Sequence, residues 1–159
     1  YQVRGVVDRL KLRNGFVCGQ DNHVPTLLKH ADEIRANNPG KQFFMIIDSL
    51  QTLDDGHFNS GRITTATAER SLEMITDYCK ENYAIAIVVG QVTKSGKMAG
   101  SNKLKHMVDA HCHLRIEDSE KSEFFQYRVF EVPKNRFGGA GHGYVLDMTA
   151  RGLREYGIL

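Results

Sequence analysis

Long apolar runs are what this sequence most clearly lacks. No stretch approaches the roughly 20 residues a bilayer-crossing helix needs, and no N-terminal segment reads as a signal peptide, which argues against a membrane or secreted protein. Cysteine is scarce. Cys18, Cys79 and Cys112 are odd in number, far apart and free of any C-x-x-C pair. That excludes a disulfide scaffold or zinc ribbon and fits a reducing cytoplasm. An excess of one charge is also missing: 21 Lys and Arg against 19 Asp and Glu leave +2, so any case for nucleic-acid binding must come from local clusters. No repeat, low-complexity tract or Pro/Ser linker divides the chain. What is present is 159 residues, 41% hydrophobic and 25% charged. Such a chain buries roughly two-thirds of its unfolded surface, enough for one domain, or a piece of one, with a real core and no intrinsic disorder. Tyr1 rather than Met at the start suggests an excised or processed fragment.

The first two-thirds alternate apolar runs with helical periodicity. Val3, Val6, Val7 and Leu10 mark a short helix, and Gly15–Cys18 a brief strand. A helix follows Asp21 and Asn22, with Pro25 in its first turn, a stripe of Leu27, Leu28, Ala31 and Ile34, and a stop at Asn37–Gly40. Phe43–Ile47 is a continuous apolar run ending in Asp48, as expected of a strand buried on both faces of a parallel sheet. A polar loop from Ser49 to about Gly61 leads to a long helix carrying Ala68, Leu72, Ile75 and Cys79, then a second buried strand, Ala84–Val89. Strand, helix, strand at these lengths is a βαβ crossover. The fold class is α/β. In the last third, Ala110, Cys112, Leu114 and Ile116 alternate with His111, His113 and Arg115, a strand with unlike faces. Asp118–Ser122 reads as a turn, Phe124–Val132 as a strand ended by Pro133, and Gly143–Met148 as another strand, all extending the parallel sheet at one edge.

Ligands of open α/β sheets gather at the carboxyl ends of parallel strands, where Asp48 and Gln91 fall. An apolar strand ending in Asp can aim its carboxylate at a metal and its waters, or simply cap a turn. Thr93–Lys105 holds Lys94, Lys97, Lys103 and Lys105 without an acidic residue, which suits either a phosphate-gripping loop or a solvated one. Lys134-Asn135-Arg136-Phe137-Gly138 sets two cations on an exposed turn, either for phosphates held by a neighbouring subunit or merely solvated. Gly138–Gly143 fits no phosphate-loop pattern and reads as a flexible turn. His106, His111, Cys112 and His113 cluster, but zinc would need a fourth placed ligand that Asp109 does not obviously supply.

Ile46–Thr52 (I-I-D-S-L-Q-T), Val89–Gly100 (V-G-Q-V-T-K-S-G-K-M-A-G), Leu104–Asp109 (L-K-H-M-V-D), Lys134–Gly138 (K-N-R-F-G) and Met148–Glu155 occur in an order that resembles the bacterial RadA (Sms) DNA-repair ATPases of the RecA superfamily. The resemblance implies a RecA-like core, with antiparallel strands at one edge in the C-terminal third. It also implies a cytoplasmic, ATP- and Mg²⁺-dependent motor that migrates branched recombination intermediates as a hexameric ring. Single-stranded or branched DNA and a RecA-type recombinase are its implied partners. Asp48 becomes the Walker B carboxylate reaching Mg²⁺ through water, with Ser49 beside it in the nucleotide site. Gln91 becomes the γ-phosphate sensor, where the family usually has His. Lys94, Lys97, Lys103 and Lys105 become the DNA contacts, and Lys134 with Arg136 the finger completing an adjacent subunit's site.

The departures are equally specific. G-x-x-x-x-G-K-[ST] is absent, the catalytic glutamate would align just before Tyr1, and the family's N-terminal zinc motif and C-terminal Lon-like domain are missing. Ser101 stands where a proline is common. Residues 1–159 are thus expected to form a single partial RecA-like domain, inactive alone. The alternatives are a non-enzymatic RecA-like DNA-binding or assembly module, and a hexameric helicase ATPase domain.

Overall fold

The computed structural model describes residues 2–12, 15–57, 63–91 and 102–159. In chain order its elements are α1 (Gln2–Leu10), α2 (Val24–Ala36), β1 (Phe44–Asp48), a single 3-10 turn (Leu50–Thr52), α3 (Thr65–Asn82), β2 (Ile85–Val89), α4 (Asn102–Met107), β3 (Ala110–Ile116), β4 (Arg128–Asn135), β5 (Gly143–Thr149) and β6 (Gly152–Ile158). They group into two compact units, residues 18–108 and residues 1–17 with 109–159.

In the unit spanning 18–108, β1 and β2 pair in parallel, from Phe44 opposite Ile85 to Asp48 opposite Val89. The crossover is α3, whose first turn is closed by a reciprocal cap. The Thr67 N–H donates to the Thr64 hydroxyl at 3.3 Å, and the Thr64 N–H to the Thr67 hydroxyl at 3.1 Å. Each bond satisfies an amide that has no partner within the helix. Ala68, Leu72 and Ile75 then turn inward, as their spacing predicts, against Val24, Ile47, Leu50, Leu53 and Leu104. Fully burying a side chain of this size stabilises by about 1.5–3 kcal/mol. α2 follows Asp21 and Asn22 as expected, with His23 at its cap and Pro25 in its first turn, and it ends at Ala36, before Asn37.

Two expectations fail in this unit. The apolar run is not buried on both faces: Met45, Ile47, Ala86 and Val88 pack on the core, whereas Phe44, Ile46, Ile85, Ile87 and Val89 are exposed. Leu27 and Leu28 of α2, Leu72 and Ile75 of α3 and Leu104 of α4 belong to or pack on the same core as Met45 and Ile47. The basic segment is also not loop throughout. Residues 102–107 form α4, held by the buried Leu104.

In the other unit, β3-β4-β5-β6 form an antiparallel sheet in that order, with Val129 and Val145 at its core. The C-terminal strands do not extend the parallel sheet; among the described residues they form a sheet of their own. α1 contributes Leu10, whose Cδ2 would lie 3.4 Å from a Cβ placed on Gly152. β3 has the predicted unlike faces, but Ala110, Cys112, Leu114 and Ile116 are the exposed ones. The half-buried polar face is tied by ion pairs from Arg115, to Glu117 at 2.8 Å and to Glu131 at 3.6 Å. The Arg115 hydrogen bond holds the Glu117 carboxyl below its usual range.

Pro133 does not end its strand. β3 advances two residues from His111 to His113 while β4 advances three from Glu131 to Lys134, so Pro133 lies in a bulge. A bulge tolerates a residue with no N–H to give. Phe124–Tyr127 is a turn rather than strand, with Gln126 at φ 68° and the rings of Phe124 and Tyr127 set against Tyr156. Residues 15–18 form no strand, because no ladder partner meets them, and β6 had no counterpart in the sequence pattern.

Candidate functional site

Asp48 ends β1 at the carboxyl rim of the parallel pair, exposed on the same face as Phe44 and Ile46. Ser49 is buried behind it at 4% exposure, and its carbonyl accepts from the Thr52 N–H at 3.1 Å and the Thr52 hydroxyl at 2.8 Å. That turn, pinned by the buried Leu50, swings Gln51 toward the end of β2. There the Gln91 N–H donates to Gln51 Oε1 at 3.1 Å, and Gln51 Nε2 donates to the Gln91 carbonyl at 3.4 Å. The side-chain amide therefore latches the two strand ends, holding Gln91 two residues past Asp48's ladder partner, Val89. Gln51 is the residue the sequence reading missed. It lay inside a quoted motif, but nothing in its type or spacing signalled a latch.

The loop beyond is anchored twice. Asp54 bridges to the start of α2, its carbonyl accepting from the Val24 N–H at 2.8 Å. Asp55 is fully buried, accepts from the His57 N–H at 3.1 Å and pairs with Arg70 of α3. Burial pushes the Asp55 carboxyl up, but the Arg70 bond, the His57 amide and the two neighbouring charges outweigh it and leave it below the ordinary range. Gly56, at φ 76°, follows them and closes the turn, its N–H donating to Asp54 Oδ1 at 2.9 Å.

The hairpin after β4 shows why its residues differ so much in kind. Asn135 folds the tip: its Oδ1 accepts from the Phe137 N–H at 3.1 Å, and its Nδ2 donates to the Gly139 carbonyl at 3.4 Å. A Cβ on Gly138 would come within 2.9 Å of that Nδ2, so a larger residue there would push the Asn135 amide from its place in the closed tip. Lys134 stays on the strand opposite His111, half-buried. Arg136 and Phe137 are thrust outward, Phe137 at 85% exposure. Arg136 pairs with Asp109 at 3.0 Å.

Of the predicted DNA contacts, Lys94 and Lys97 lie outside the described residues. Lys103 is on α4, paired with Glu69 of α3 at 3.2 Å, and Lys105 is half-buried on the same helix. No group of three His, Cys, Asp or Glu side chains among the described residues could hold a metal ion. Cys112 and its neighbours His111 and His113 project from opposite faces of β3. Asp48 offers a hard, exposed carboxylate oxygen, the donor Mg²⁺ takes when it keeps most of its waters. At this corner Asp48 could supply one ligand to a magnesium nucleotide, while the phosphate-cradling loop is not in this sequence.

No protein-family model matches the chain. Curated relatives do. The DNA repair protein RadA of Aquifex aeolicus is 36% identical over 115 residues, 72% of this chain and 25% of that protein. RadA of Brucella abortus is 34% identical over 124 residues, 77% of this chain and 26% of its own. Over these residues the chain is similar to the RadA proteins. It spans about a quarter of the length of these RadA relatives. Among solved structures, a DnaB-like replicative helicase superposes on 80% of the chain with a TM-score of 0.68, at 17% identity and over 34% of its own length. A KaiC-like protein from Pyrococcus horikoshii covers 84% of the chain at a TM-score of 0.61, with 16% identity and over 54% of its own length. These two likenesses show the fold, a RecA-like α/β core.

Proposed function

We propose that this RadA-related chain is the C-terminal portion of the ATPase core of a DNA-dependent motor, acting in DNA repair and in the branch migration of homologous recombination. The observation that carries the reading is the exposed Asp48 carboxylate at the sheet's carboxyl rim, with Gln91 latched beside its strand by Gln51. When bound, a magnesium nucleotide supplies a phosphoanhydride whose hydrolysis drives movement. Asp48 would hold the magnesium through its waters, with Ser49 fixed behind it, and Gln91 would sense the terminal phosphate. Lys134 and Arg136 reach a neighbouring protomer's triphosphate, where a cation stabilises charge that develops during transfer. That role calls for a closed ring of copies, six in this reading. The segment from Lys94 to Lys105 grips the phosphate backbone of single-stranded or branched DNA, and a RecA-type recombinase is the expected partner. Both compact units then belong to one nucleotide-binding domain, whose Walker A loop is contributed by residues other than these.

The test uses the full-length protein with ATP, Mg²⁺ and single-stranded DNA. Asp48→Asn and Arg136→Ala should each lower DNA-stimulated turnover by about a hundredfold or more, with Arg136→Ala sparing nucleotide binding. Undiminished turnover in Asp48→Asn would remove Asp48 from the site, and a parent protein without DNA-stimulated turnover would leave the non-enzymatic DNA-binding or assembly module as the better reading.

A further inference from the structure

Asp109 and Arg136 meet at two points. The Arg136 N–H donates to the Asp109 carbonyl at 2.9 Å, and Arg136 Nη1 donates to the Asp109 carboxylate at 3.0 Å. They are the pair next beyond Ala110 and Asn135 at the end of the β3–β4 ladder. Strand pairing therefore brings the end of the L-K-H-M-V-D segment onto the K-N-R-F-G hairpin, and the side-chain contact is built on a backbone one. Asn135, which folds the tip, is the last ladder residue before Arg136.

We propose that Asp109 is a positioning residue for Arg136, holding the guanidinium at the base of the hairpin so that it is oriented before a neighbouring triphosphate engages it. This rests on the cross-subunit role given to Arg136 above. An unrestrained arginine spreads over many rotamers, and ordering it at the moment of use costs conformational entropy. A carboxylate beside the hairpin removes much of that spread in advance. Both side chains are about half exposed, 53% for Arg136 and 52% for Asp109, so the pair is weak enough to rearrange toward a more highly charged triphosphate. Asp109 touches no substrate in this scheme. It acts through Arg136 alone.

Two measurements on the full-length protein test this. In the first, the nucleotide-free protein is treated with phenylglyoxal and the modification of Arg136 is followed by peptide mass spectrometry. Asp109→Asn should raise the rate about threefold, because a guanidinium released from its carboxylate reacts faster. In the second, ATP turnover of Asp109→Ala should show kcat lowered by up to about fivefold with KM nearly unchanged, Asp109→Glu should restore it, and Asp109→Ala should add nothing in an Arg136→Ala background. Unchanged labelling and kcat, with Arg136→Ala still crippling, would overturn the positioning role and leave the ATPase reading standing. A further loss from Asp109→Ala in the Arg136→Ala background would also overturn it, by showing that Asp109 acts through the fold. Normal turnover in Arg136→Ala would remove the finger itself, a separate failure. If Asp109→Ala does not fold, the near-isosteric Asp109→Asn carries both measurements.

Discussion

Arg70→Ala isolates the buried charge behind the Asp48 loop. Asp55 has no solvent exposure, while Arg70 is 45% exposed. Removing the guanidinium leaves a buried carboxylate with only the His57 amide as a described partner on its side chain. Breaking such a pair costs about 3–5 kcal/mol when both partners are buried; with Arg70 half in water, the lower end, roughly 3 kcal/mol, is expected at pH 7. The sign with pH follows from Asp55's lowered folded-state value. In the parent, its contribution is present above the unfolded carboxylate value of about 3.9 and is lost as pH falls through the depressed folded one. In Arg70→Ala, burial is left largely unopposed, so the folded value rises above the unfolded one and acid relieves the penalty. The gap between parent and variant should therefore be widest near neutrality and shrink toward pH 4. Urea unfolding by far-UV circular dichroism from pH 4 to 8 reads this directly. With a slope of about 1–3 kcal/mol/M, the midpoint at pH 7 should fall by roughly 1 M or more. Asp55→Asn combined with Arg70→Ala should recover part of the loss, because no buried charge remains. A gap below about 0.5 kcal/mol at pH 7, or one that widens in acid, would show that Asp55 is not held by Arg70 in solution.

Two further expectations concern the residues around the proposed site. Gln51→Ala removes both bonds to Gln91 and should lower DNA-stimulated turnover of the full-length protein several-fold while leaving nucleotide affinity near the parent's; equal turnover would reduce the latch to a packing detail. Gly138→Ala sets a Cβ 2.9 Å from Asn135 Nδ2 and should open the hairpin tip, giving a turnover loss that approaches that of Arg136→Ala, with a melting temperature shifted by only a few degrees. Turnover at the parent level would mean that the tip's closed shape does not matter.

Much of this protein could be read from the chain alone, and the reason is local. The helices followed from residue spacing: Ala68, Leu72 and Ile75 had to share one face of α3. The parallel strands followed from short apolar runs broken by polar residues, and Asp48 had to fall at a strand's carboxyl end because the run stops there. Motif order also pointed to the RadA proteins, since residue identities survive without reference to the fold. Pro133 and the Phe124–Tyr127 aromatics misled, because a bulge opposite Cys112 and the ring of Tyr156 are created by partners distant in sequence.

What only tertiary structure decided is which groups meet. Nothing local requires Gln51 to bond Gln91, forty residues away, Arg70 to neutralise Asp55, or Asp109 to face Arg136. The same holds for burial. An apolar run encodes the capacity to be covered on both faces, but the exposed side of Phe44, Ile46, Ile85 and Ile87 is decided by whichever elements pack there. Hydrophobic and helical patterns are properties of neighbours along the chain, whereas hydrogen bonds, ion pairs and coverage across a sheet are properties of neighbours in space.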